Sequence, residues 1–399
     1  MRILFISQLF DPEYSIKGLG FLQEMQKQGF EVDVITTFPN YPTGKIFPGY
    51  KVKPWQIEMH GGVRVIRVFS YISHSRSKLS RALNYASFMV SAFLAAAIIR
   101  KPDVIYAYHP QLTTGLIASV FKKVSSTPFI TDVQDLWPDA LAATGTQSKG
   151  LVYSGINKIC NFVYKTSTRI VVLSDGYKNV LIDRGVPANK IVVVYNWHAD
   201  ESVTIDGREE RLLPQGFDHT FVYAGNLGAA QSLKNVISAF SNSAEKSVCL
   251  VVIGSGVEED ELISHARTIG AKNIFFLGYV SSQKIKKYLS QADVLVVHLR
   301  DEPLFKITIP SKIQAYLSSQ KPILMAVGGE ANQIICDAEA GVSAEPDDIL
   351  SIESAIIELL SRRNEWEEMG RNGRRFYETE MSRGRGVSKI VSLLKDLQN

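Results

Sequence analysis

Short apolar runs rich in Val and Ile recur along the chain, separated by longer stretches of helical period. In the first half they read RILFIS, EVDVITTF, VRVIRVFS, DVIYAY and PFITDV, then RIVVLS and KIVVVYN. Continuous apolar strands between helices mark a parallel sheet covered on both faces, which predicts a Rossmann-like domain over residues 1–197. Beyond it the text turns polar and irregular, HADESVTIDGREERLLPQGFDHT, and predicts a linker over 198–219. The pattern then restarts with TFVYAGNLG, VCLVVIGSG, NIFFLGYV, ADVLVVHL and KPILMAV, predicting a second Rossmann-like domain over 220–375. A terminal helical segment, 376–399, is expected to close that second domain. The reading is α/β: two Rossmann-like domains facing each other across a cleft, with ligands beyond the carboxyl ends of the strands.

Composition narrows the class without changing the fold. The 399 residues are 45% hydrophobic and 21% charged, ordinary for a globular chain longer than one core usually holds. A net charge of +4 is too balanced to indicate a nucleic-acid partner, so any basic surface is local. Cys160, Cys249 and Cys336 are odd in number and far apart, which fits neither a disulfide framework nor zinc-ligand spacing and predicts a reducing compartment. The opening MRILFISQLFDPEY soon meets Asp11 and Pro12 and reads as a first strand, not a secretion signal or a membrane span.

Candidate chemistry lies where strands end. Dinucleotide binding would need G-x-G-x-x-G after the first strand and an acid after the second, and neither is there. Gly18 and Gly20 open a helix instead; they allow close approach to a phosphate or sugar oxygen, or simply make a tight turn. In the second domain Gly225, Asn226 and Gly228 mark one strand-to-helix turn, Gly254 and Gly256 the next, and Gly278 with Tyr279 a third. Small residues at adjacent strand ends let a nucleotide diphosphate lie against backbone, although structural turns look the same. The fourth stretch, KITIPSKIQAYLSSQKP, puts Lys306 and Lys312 on either side of Pro310, before a helix. Two lysines and a helix N-terminus suit an anion; a solvated basic turn is the alternative.

YAGNLGAAQSL, VVIGSG, FLGYV, ADVLVVHL and IPSKIQAYLSSQKPILMAVGGE together resemble the donor half of glycosyltransferase family 4, with the GT-B fold. FPNYPTGKIFPGY, GGVRVIRV and DVQDLWPDAL resemble the branch exemplified by WbuB-type L-fucosamine transferases of O-antigen and capsule assembly. The resemblance implies a UDP-sugar donor in the second domain, its diphosphate held by Lys306, Ser311, Lys312 and a helix starting at Pro310, with no cofactor and no metal. It implies retention of anomeric configuration, with the departing phosphate taking the acceptor proton. Two features depart from the family pattern. Ala315 stands where an acid usually holds the ribose, Glu302 being a loose counterpart of its partner acid, and Asn226 and Gln231 replace the usual Arg and Lys. In the first domain Asp135 stands about where a histidine touches the transferred sugar, followed by Trp137, while His109 ends the preceding strand; Asp135 and His109 are the expected catalytic pair, acting by position.

In SHSRSKLSRALNYASFMVSAFLAAAIIRKP the apolar part reads as a buried crossover helix. The basic lead-in, Arg76, Lys78 and Arg81, suits the headgroups of an anionic membrane presenting an undecaprenyl-diphosphate-linked acceptor. The expectation is a cytoplasmic enzyme, peripheral on the inner leaflet, moving an N-acetylated 6-deoxyhexose from a UDP-sugar to a lipid-diphosphate-linked saccharide. The alternatives are a GT-B UDP-sugar 2-epimerase and a non-catalytic nucleotide-sugar-binding subunit.

Overall fold

The apolar runs assemble into two separate sheets. The structure is a computed structural model describing residues 1–41, 43–73, 77–109, 112–140, 150–198, 211–243 and 247–397. It divides into one unit of Met1–Tyr195 with Gly386–Asn399, and a second of Asn196–Arg385. Of the terminal segment 376–399, expected to close the second domain, residues 376–385 stay with the second unit and 386–399 join the first. The helix Arg383–Lys395 buries Val387, Ile390, Val391 and Leu394, and Lys389 lies 5.8 Å from the ring of Tyr195.

The first unit is a sheet of β1 (Arg2–Ile6), β2 (Glu31–Thr36), β3 (Trp55–His60), β4 (Val63–Val68), β5 (Val104–His109), β6 (Phe129–Val133), β7 (Arg169–Val172) and β8 (Ile191–Val193). Their order is β3-β4-β2-β1-β5-β6-β7-β8, parallel except for β3, which returns antiparallel on β4 through the Gly61–Gly62 turn. The chain reverses direction across the sheet at β1 and β5, which locates the switch point. WQIEMH, β3, has no continuous apolar run; its alternation marks a half-exposed edge, with Trp55, Ile57 and Met59 outward.

Three buried charges staple the loop after β1 over the carboxyl ends of its neighbours. Glu13 accepts from the backbone N–H of Asn40 and Tyr41 at 2.7 Å each, and burial raises its carboxyl. Arg67, at no exposure, donates to Glu58 at 2.7 Å, to the Thr37 carbonyl at 3.0 Å and to the Asp11 carbonyl at 2.5 Å. Lys17, equally buried, pairs with Asp132 of β6, which also accepts from the Tyr106 hydroxyl and, at 2.6 Å, from Gln134.

The helix Lys78–Ile98 differs from the expected fully buried crossover. Phe88, Ala92 and Ala96 pack with Ile66, Val68 and Ile105 in the core, but Leu79, Leu83, Val90, Leu94 and Ile98 are exposed on one outward stripe. Each such side chain left in water forgoes roughly 1.5–3 kcal/mol.

The second unit is a parallel sheet of β9 (His219–Ala224), β10 (Val248–Ile253), β11 (Ile274–Gly278), β12 (Val294–His298), β13 (Ile323–Ala326) and β14 (Gly341–Ser343), in the order β11-β10-β9-β12-β13-β14. Its core joins Phe221, Tyr223, Leu250, Val252 and Val296 to the helix Leu233–Asn242. The switch point lies between β9 and β12.

Replacing Lys17 by Met leaves the Asp132 carboxylate buried without its cation. The first unit is expected to lose about 3–5 kcal/mol of stability, read as an earlier midpoint in urea unfolding.

Candidate functional site

Three adjacent strands end in glycines that touch. The Gly225 N–H donates to the Ile253 carbonyl at 2.9 Å, and the Gly254 N–H donates to that of Gly278 at 2.8 Å. Gly254 has φ +144° and a Cβ there would sit 1.8 Å from the Gly225 carbonyl oxygen, so no side chain fits and the two loops lie backbone to backbone. Beyond these ends opens a cavity of about 850 Å³.

Lys312 forms part of its wall. The helix Lys312–Ser318 is held to β9 by the Tyr316 hydroxyl, which accepts from the Ala224 N–H at 2.8 Å. That tether lays the Lys312 ammonium 3.7 Å from the centre of the Tyr223 ring. The nitrogen is buried and, among the described residues, has no hydrogen-bond partner. Burial pushes its pKa down from the ordinary lysine range to about 7. An anion entering the cavity would hold the proton on it.

The cavity brings together Gly225, Asn226, Gly254, Tyr279 and Lys312 from the expected donor set, with Ala315 beside them. Gly256, Glu302, Lys306 and Ser311 are not in its lining. Gly256 packs against Leu227; Glu302 precedes the short helix Pro303–Lys306; the Lys306 ammonium pairs with Asp301 at 2.9 Å. Ser311 is the N-cap of a helix that begins at Lys312, two residues later than expected. Asn226 and Gln231 are joined to each other at 3.1 Å, and Gln231 also accepts from the Gly228 N–H at 3.2 Å, so the amides that replace Arg and Lys close their own loop.

Several contributors were missed. His198, Lys286, Arg374 and Tyr377 line the cavity, and the Tyr377 hydroxyl accepts from the His198 N–H at 3.2 Å. The density of arginines in GRNGRRF was the available signal for Arg374. Behind the site His298 is buried, Nδ1 lying 2.7 Å from the Gln231 carbonyl while Nε2 accepts from the Asp347 N–H at 3.1 Å. Desolvation lowers its pKa and keeps it neutral, and from the end of β12 it joins the loop after β9, at Gln231, to the loop after β14, at Asp347.

In the first unit Asp135 reaches solvent after β6, yet the protein around it withdraws enough water to raise its carboxyl. Its neighbour Trp137 gives its carbonyl to Arg184 at 2.9 Å. His109 ends β5; its side chain lies outside the described residues, as do Arg76 and the side chain of Lys78, while Arg81 is exposed. Gly18 caps the helix Leu19–Lys27, which contains Gly20, but Asp11 already accepts from the Leu19 N–H at 2.7 Å. That N–H is therefore taken by the chain itself, which favours the tight turn over a phosphate site there.

Two family models meet this architecture: "Glycosyl transferase 4-like domain" over residues 19–197 and "Glycosyl transferases group 1" over 209–376. The chain belongs to the family 4 glycosyltransferases and has the GT-B fold of two Rossmann-like domains. It is 27% identical over 357 residues, 83% of this chain and 82% of the relative, to WcaI of Escherichia coli K12, a glycosyl transferase named for colanic acid biosynthesis. It is 24% identical over 296 residues, 72% and 74% of the two chains, to WbjE of Pseudomonas aeruginosa, named as a glycosyltransferase. HepE of Anabaena, solved in complex with UDP, has the same fold at a TM-score of 0.70 and 13% identity, covering 99% of this chain and 100% of that one.

Lys312 gives the site a pH signature. Its folded pKa is about 7 and its unfolded one 10.5, so between them the unfolded chain holds more protons and unliganded stability rises with pH. Lys312→Met is expected to melt several degrees above the wild type at pH 7 without ligand, the gap narrowing towards pH 10 in thermal unfolding.

Proposed function

We propose that the protein transfers a sugar from a UDP-sugar to a lipid-diphosphate-linked saccharide in the assembly of a bacterial surface polysaccharide, O-antigen or capsule. The observation that carries this reading is the buried lysine with no hydrogen-bond partner among the described residues, in the wall of a cavity at the glycine ends of β9, β10 and β11. An anion with a flat, partly apolar extension suits that cavity, and the UDP held by HepE supports uracil as its base. The resemblance to L-fucosamine transferases supports an N-acetylated 6-deoxyhexose, and the names of WcaI and WbjE support transfer in polysaccharide assembly.

In the reaction the sugar C1 leaves the β-phosphate oxygen and bonds to the acceptor hydroxyl, on the retained face. The acceptor proton passes to the departing UDP. Lys312, protonated beside the diphosphate, stabilises the charge that builds on the leaving oxygen. Asp135 and His109 orient the acceptor hydroxyl or the sugar. Among the described residues no three His, Cys, Asp or Glu side chains cluster, and this reading assigns the charge work to the lysine without a metal. The Asn226–Gln231 contact and Ala315 favour one second reading, a nucleotide-sugar-binding subunit without turnover.

UDP is expected to raise the melting temperature of the wild type and to do so much less for Lys312→Ala, with GDP, dTDP and ADP weaker. UDP-sugar should yield free UDP only when membrane lipid extract supplies an acceptor. Binding without release would establish the subunit, and turnover of the sugar without acceptor the epimerase.

The acceptor reading places the enzyme on the anionic cytoplasmic leaflet. Between Lys51 and Pro102 nine Lys and Arg face one acid, Glu58, which is already paired with Arg67. Helix Lys78–Ile98 is long and apolar enough to cross a membrane, but its inner face is part of the core, so this reading lays it in the interface with its outer stripe in lipid. Leu83→Asp and Val90→Asp are each expected to cut cosedimentation with phosphatidylglycerol vesicles at least tenfold, and high salt to weaken the wild type.

A further inference from the structure

Residues 43–50, with Asn40 and Tyr41 before them, form the most distinctive stretch of the first unit, and the reaction outlined above gives it no task. Its backbone is held from two sides. Glu13 takes the N–H groups of Asn40 and Tyr41, and the Arg67 guanidinium lies 4.8 Å over the Tyr50 ring. Inside the segment, Gly44 donates to the Asn40 carbonyl at 2.7 Å and Phe47 to that of Pro39 at 3.0 Å. Two buried side chains, Glu13 and Arg67, are spent on shaping one surface loop.

What the loop shapes is a pocket of about 270 Å³, walled by Gly44, Ile46 and Val52 on one side and by Phe69, Tyr71 and Ile72, beyond the end of β4, on the other. Phe69 is 42% exposed, Tyr71 43% and Val52 40%, so three large apolar side chains stand at its mouth. Its far wall is fastened to the helix Lys78–Ile98: Ser87 accepts from the Tyr71 N–H at 2.7 Å and Asn84 donates to the Tyr71 carbonyl at 2.8 Å. The pocket thus lies beside the exposed stripe that begins at Leu79 and Leu83. Lys45, Lys51 and Lys53, all exposed, are the chain neighbours of its lining residues Gly44, Ile46 and Val52.

We propose that this pocket binds the first isoprenoid units of the acceptor lipid, with the diphosphate that follows them held by the flanking lysines. The inference rests on the lipid-linked acceptor proposed above and adds where that lipid sits. Apolar walls with a one-signed cationic rim match an amphiphile with an anionic head. A second copy of this chain would bring lysine against lysine. Position fits as well, because the pocket opens at the carboxyl edge of the sheet, the same edge at which β6 presents Asp135.

The test uses farnesyl diphosphate below its micellar concentration as the probe, with inorganic diphosphate and farnesol as the head-only and chain-only controls, in isothermal titration calorimetry on the full chain. Wild type is expected to bind farnesyl diphosphate at least tenfold more tightly than either control. Val52→Trp, which fills the mouth, and Phe69→Ser, which removes a wall, should each lose at least tenfold for farnesyl diphosphate. Both should keep the wild-type melting temperature and vesicle cosedimentation. A benzophenone-bearing prenyl diphosphate should label residues 44–52 or 69–72.

Unchanged affinity in both variants, or labelling confined to the outer stripe of helix Lys78–Ile98, overturns the pocket and leaves the lipid-linked acceptor standing. If the wild type binds neither farnesyl diphosphate nor vesicles, the pocket and the acceptor reading fall together.

Discussion

A cation shut away from water needs an anion, and the second unit is arranged around the want of one at Lys312. The glycine loops after β9 and β10 lie against each other because nothing larger than hydrogen fits between them, which leaves the strand ends bare. Tyr316 ties the lysine's helix to β9, and Tyr223 offers the amine only the face of a ring. His298, neutral and bonded at both nitrogens, fixes the loops behind. Every one of these contacts keeps the amine in place, and none neutralises it.

The first unit treats its buried charges in the opposite way. Lys17 meets Asp132, Arg67 meets Glu58 and two carbonyls, and Glu13 collects three backbone N–H groups. A buried ion that is fully paired contributes little net stability and much geometry, since breaking it is costly while forming it is near balance. These charges set the path of two loops over the end of the sheet. The contrast separates two uses of buried charge: an answered one shapes the protein, and the unanswered one at Lys312 marks the place proposed for a ligand.

Much of the architecture could be read from the chain, because parallel strands buried on both faces are written as continuous Val and Ile runs. The exceptions have physical causes. β3 is an edge strand and alternates, and β14 has only three residues, too few to establish a period. From Ala86 on the helix Lys78–Ile98 carries no charge, and composition does not say which side is covered; only the packing of Phe88 and Ala92 in the core does. At the site, Gly225, Gly254, Tyr279 and Lys312 were legible because strand-end glycines and a lysine before a helix have local signatures. Arg374 and Tyr377 were not, since they reach the cavity from the far end of the unit's sequence. Gln231 looked like a lost cation and proves to be a loop closure, a role that depends on a hydrogen bond no spacing reveals.

The return of Gly386–Asn399 to the first unit bears on the order in which the protein is made. A ribosome completes the first sheet long before it reaches the helix Arg383–Lys395 that joins the same unit, and the second unit is synthesised in between. The unit begun first is therefore finished after the second, and until that helix has emerged it exposes the apolar ground that Val387, Ile390 and Leu394 will cover. Loss of the helix Arg383–Lys395 would leave the sheet of the second unit intact and spoil the first unit.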